Sequence, residues 1–72
     1  MAKQTISSKD IAKMIRKVYG RAQEADAFVP PGIARAMALR AMEWIGSPEE
    51  EEFGIEYFID NMIEKYLDKG KF

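Results

Sequence analysis

The chain has no cysteine and no histidine. Without cysteine there can be no disulfide and no thiolate metal site, so a small core has no covalent or metal staple. Without histidine the commonest general base is gone, and with it most remaining zinc geometries. Carboxylate-rich di-iron bundles need Glu-x-x-His pairs, which these residues cannot supply. No apolar run approaches the roughly 18 residues of a membrane span. The opening Met1-Ala2-Lys3-Gln4-Thr5 has none of the apolar stretch of a signal peptide. There is no glycine-rich phosphate loop, since Pro30-Pro31-Gly32 does not resemble one, and no EF-hand loop. At 72 residues the chain is one domain. A domain this small buries only about 60% of its unfolded surface. Little room is left for a ligand pocket of about 300 Å³ or more. The expectation is a cytoplasmic, non-enzymatic protein with no cofactor, no metal, no membrane contact and no small-molecule substrate.

What is present is globular in character: 47% of residues are hydrophobic and 32% charged. The net charge of −1 conceals a split. Residues 1–42 hold eight basic groups against three acids, a balance of +5. Residues 43–72 hold three basic groups against nine acids, a balance of −6. Such a division either marks a surface for an acidic partner or lets the two halves attract each other, within one chain or across a dimer. Attraction between unlike-charged helices is the simpler account.

Helical periodicity and punctuation predict an all-α, compact three-helix bundle, with helices at about 8–27, 31–45 and 48–69. In the first helix Ile11, Met14, Ile15, Val18, Tyr19, Ala22 and Ala25 fall on one side. Lys9, Lys13, Arg16, Lys17 and Arg21 are assigned to the opposite side, together with Gly20. Ser7 or Ser8 is the expected N-cap, with Asp10 approximating the far side of a capping box. Residues 28–32 form a connection. Proline holds the residue before it extended, and Pro31 suits the first turn of a helix. Phe28 and Val29 are both expected to fold onto the core.

The second helix is apolar nearly all round and rich in alanine, as suits a central element approached closely by its neighbours. Gly46-Ser47-Pro48-Glu49-Glu50 then gives a left-handed stop, an N-cap serine, a first-turn proline and a capping-box glutamate. The glutamates 49–52 sit where the helix dipole favours negative charge, which explains them without a metal or a nucleic-acid-mimicking role. The third helix buries Ile55, Phe58, Ile59, Met62, Ile63 and Tyr66, and Gly70 closes it. Glu56, Asp60 and Glu64 follow at intervals of four and read as a solvated acidic face rather than a cation site.

Three surfaces are candidates for function. Phe53 and Tyr57 lie off the main apolar face of the third helix, where a protein partner would bury large aromatic area. The competing expectation is that they pack beneath residues 28–32 or Phe72. Leu39, Ala36 and Met42 would stay partly uncovered in a monomer, and a two-fold homodimer would cover them. The basic array Lys9, Lys13, Arg16, Lys17 and Arg21 suits phosphates. Residues 8–15 resemble the opening helix of a helix-turn-helix, yet the pattern runs on past Gly20 and the next helix waits for the double proline. The leading expectation is therefore a small regulatory protein that binds a protein partner or itself through helix faces. The alternative is a nucleic-acid-binding regulator using the first helix.

Overall fold

A computed structural model of the chain describes residues 8–72. The fold is all-α. Four helical segments follow in order: α1 (Ser8–Glu24), α2 (Pro31–Trp44), α3 (Pro48–Phe53) and α4 (Ile55–Lys69). α2 packs against both α1 and α4, α1 also meets α4, and α3 rests on α4. The alanines explain why α2 can be central. Ala34, Ala38 and Ala41 are wholly buried beside Met37, so two neighbouring helices approach its backbone closely. Met14, Val18 and Ala22 of α1 and Ile59, Met62 and Ile63 of α4 complete the core with Val29. No polar side chain is buried among the described residues.

The helix expected at 48–69 is broken in two. Gly54 has φ 88° and ψ 155°, a conformation essentially confined to glycine. Its N–H closes α3 on the Glu50 carbonyl at 2.8 Å, and α4 starts afresh at Ile55. The start of α3 follows the sequence closely. Ser47 Oγ accepts from the Glu50 N–H at 3.1 Å, and Pro48 opens the helix. The Glu50 carboxylate reaches back, but it accepts from Gly46 N–H at 3.2 Å, one residue ahead of the usual capping-box donor.

The first helix ends three residues before the expected 27. Ala27 N–H donates to the Ala22 carbonyl at 2.8 Å and Asp26 N–H to that of Gln23 at 3.0 Å. These are the paired bonds of a Schellman stop. The left-handed position, usually glycine, is held by Asp26 at φ 55°. Asp26→Gly should therefore stabilise the protein by about 0.5–1 kcal/mol, after allowing for the freer unfolded chain. That corresponds to a rise in Tm of about 2–8 °C. A lower melting temperature on calorimetry would mean that the aspartate side chain holds the stop better than relief of φ strain does.

Gly20 leaves α1 unbroken. Ser7, one of the two expected caps, lies outside the described residues; Ser8 is itself the first helical residue. Phe28 corrects a further expectation. It is 77% exposed while Val29 is 3% exposed. Neighbours in extended backbone point to opposite sides, so only one of the two can enter the core.

Candidate interaction surface

α1 and α4 run in the same direction, and two ion pairs fix their register. Arg21 donates from Nε and Nη2 to the two carboxylate oxygens of Asp60 at 2.9 and 2.8 Å. One turn earlier, Lys17 Nζ lies 3.7 Å from Glu56. Both pairs span the same sequence offset, so residues ascend together along the seam. The fork geometry of the arginine makes its pair the more specific of the two. The hydrogen bond to Asp60, and then its charge, hold the Arg21 guanidinium protonated above the ordinary range for arginine. The Lys17–Glu56 pair has side chains 42% and 57% exposed and is correspondingly weak. The opposite charges of the two halves thus meet within one chain.

This corrects the assignment of Arg21 to the far side of the first helix. Arg21 follows Met14 by seven residues, which returns it to within about 20° of that buried side chain. Lys17 stands beside it at the border of the packed face. Lys9, Lys13 and Arg16 remain on the outer side, exposed and without an ion pair among the described residues. The phosphate-binding array suggested by the sequence is reduced from five unpaired cations to three. On α4, Glu56 and Asp60 are likewise committed to the seam, and among the described residues no cluster of acidic side chains is arranged to hold a metal ion.

Phe53 and Tyr57 come together across the break at Gly54. One is the last residue of α3 and the other lies in the first turn of α4. Their rings stack with centroids 4.8 Å apart and planes inclined by 25°. Each is 51% exposed, so the stack stands at the surface rather than under residues 28–32 or Phe72. Phe72 itself packs against the core. Glu49, Glu51 and Glu52 are exposed around the preceding turn. An exposed aromatic stack thus follows directly on a short acidic helix. A second pair, Trp44 on Phe58, has centroids 4.4 Å apart and ties the end of α2 to α4. Both of those residues are half-buried and part of the architecture.

The third candidate surface is smaller than the sequence implied. Met42 packs against the core, Leu39 is half-buried, and Ala36 is exposed on the outer side of α2. The structure does not bring these three together with Phe53 and Tyr57 into an observed contact. Sequence reasoning also missed a groove of about 420 Å³ between the end of α1 and α4. Ala25, Ile63 and Leu67 form its apolar lining, with the Arg21–Asp60 pair, Glu24 and Glu64 as its polar lining. The trace of it in the sequence is an apolar surplus at the ends of both helices: Ala25, expected on the core side of the first helix, is exposed, and Leu67, at the edge of the α4 stripe, is 55% exposed.

No protein family, curated protein or solved structure matches the chain. No helix among the described residues is long and apolar enough to cross a membrane.

Proposed function

We propose that this protein is a small regulatory interaction module that acts by binding protein through the corner built by α3 and the start of α4. The observation that carries this reading is the Phe53–Tyr57 stack, half-exposed on both rings, at the end of a helix that carries exposed Glu49, Glu51 and Glu52. Large aromatic side chains contribute most when a partner strips their water, and they dominate the centres of protein interfaces. The acidic helix selects partners of opposite charge and speeds their approach. The alternative use of α1 as a phosphate-binding face has less support, because Lys17 and Arg21 already satisfy carboxylates of the same chain.

The test is photo-crosslinking in cells that express the protein. A benzophenone amino acid replaces Tyr57 in one variant and Lys13 in another. Adducts at position 57 that contain protein, whether a second copy or a different chain, support the reading. Absence of protein adducts at 57 overturns it, and nucleic acid recovered at 13 then favours the alternative.

A further inference from the structure

Resting on that reading, we infer that the aromatic corner docks on the outer face of α1 in a second copy of this chain, forming a two-fold dimer. Three observations converge on this occupant. The first is charge. Lys9, Lys13 and Arg16 are exposed without ion pairs among the described residues, and the corner carries exposed Glu49, Glu51 and Glu52. The chain thus holds both members of a complementary pair and does not join them internally.

The second is register. Lys17 lies opposite Glu56 and Arg21 opposite Asp60. Continuing that correspondence to the first residue of α4 brings Arg16 level with Ile55, two residues before Tyr57; Lys13 stands one turn nearer the start of α1 than Lys17. Arg16 therefore stands close to the height at which Tyr57 leaves α4, with Lys13 next to it along the exposed side of α1. At Gly54 the chain leaves the line of α4, so the ladder of ion pairs along α1 and α4 ends at Lys17 and Glu56.

The third is symmetry. The seam of ion pairs separates the two patches, with the basic strip on the α1 side and the aromatic, acidic corner on the α4 side. A two-fold axis running along the seam preserves height and exchanges the sides. Lys13 and Arg16 of each copy then meet Phe53, Tyr57 and the α3 glutamates of the other. Cations placed over aromatic ring faces gain from the ring quadrupole as well as from the carboxylates. One contact is made twice, and the arrangement closes as a dimer rather than growing into a filament.

Sedimentation velocity on the purified full chain tests this over a range of protein and salt concentrations. The wild type should move from monomer to dimer with concentration, and less readily at higher salt. Lys13→Glu with Arg16→Glu should weaken self-association by about tenfold or more, as should Glu49→Lys with Glu52→Lys. Circular dichroism checks that each variant keeps its helicity. An equimolar mixture of the two variants should restore a dimer, because each then supplies the charge the other needs. A wild type that stays monomeric overturns the inference, and so does a dimer indifferent to these reversals or a mixture that fails to pair. If the chain is monomeric but Tyr57 crosslinks to a different protein, the interaction reading stands and only the self-docking fails. If Tyr57 captures no protein at all, both fail.

Discussion

Ile59→Ala is expected to remove about 3–4 kcal/mol of stability, a large share of the whole. The side chain is wholly buried at the meeting of α4 with the core. Alanine deletes three carbons, worth about 0.8 kcal/mol each in transfer from water. The cavity left behind adds to that cost, because helices pinned elsewhere relax only in part. Here α4 is held to α1 by the Arg21–Asp60 pair and to α2 by Trp44 on Phe58, so collapse around the gap is restricted. A domain of this length has roughly 4–11 kcal/mol in total, and it has no disulfide in reserve. Urea denaturation followed by circular dichroism reads the loss as a lower midpoint with an unchanged slope. Leu67→Ala is the comparison. That leucine is 55% exposed and should cost less than about 1 kcal/mol. Equal losses at the two positions would mean that α4 does not face the core through Ile59.

The contrast between Ile59 and Leu67 also shows where the sequence was legible. Period-3.6 patterning located the buried residues in mid-stripe of α1 and α4, since a side chain there has nowhere to go but inward. The stop and restart at 46–50 was equally readable, because each residue there satisfies a local backbone requirement that no distant contact competes with. Edges of stripes were harder. Arg21 sits beside Met14 on the helical wheel, and its charge alone sent it to the wrong side; a partner on another helix decided its place. Gly54 sits in an apolar spacing that remains helical on both sides of it. The phase change it causes was nonetheless visible. Phe53 and Tyr57 refused to join the face that runs from Ile55 to Tyr66, and that misfit is the trace of the break. The pattern thus marks the two aromatics without showing the cause of their misfit. They stand outside the core because the chain turns between them, and the same turn brings the rings together at 4.8 Å.

Ala38→Leu should cost about 3 kcal/mol for the opposite reason to Ile59→Ala. Ala38 has no exposed surface on the helix that both α1 and α4 pack against. Three added carbons there must displace a neighbouring helix or leave a favourable rotamer, and overpacking of this kind typically costs about 1–3 kcal/mol, occasionally more. The upper end is expected because the alanine face of α2 is what permits the close packing of three helices. In a protein of this size the loss lowers Tm by roughly 12–24 °C. Ala36→Leu provides the control on the same helix. Ala36 is exposed, so the identical chemical change should stay within about 0.5 kcal/mol of zero. The pair also bears on self-association. In the proposed dimer α2 lies away from the paired surfaces, so Ala36→Leu should leave the sedimentation behaviour as well as the stability of the wild type unchanged. If Ala36→Leu instead disrupts a dimer, the outer side of α2 is the covered face, and the assignment of the interface to the α1–α4 side fails.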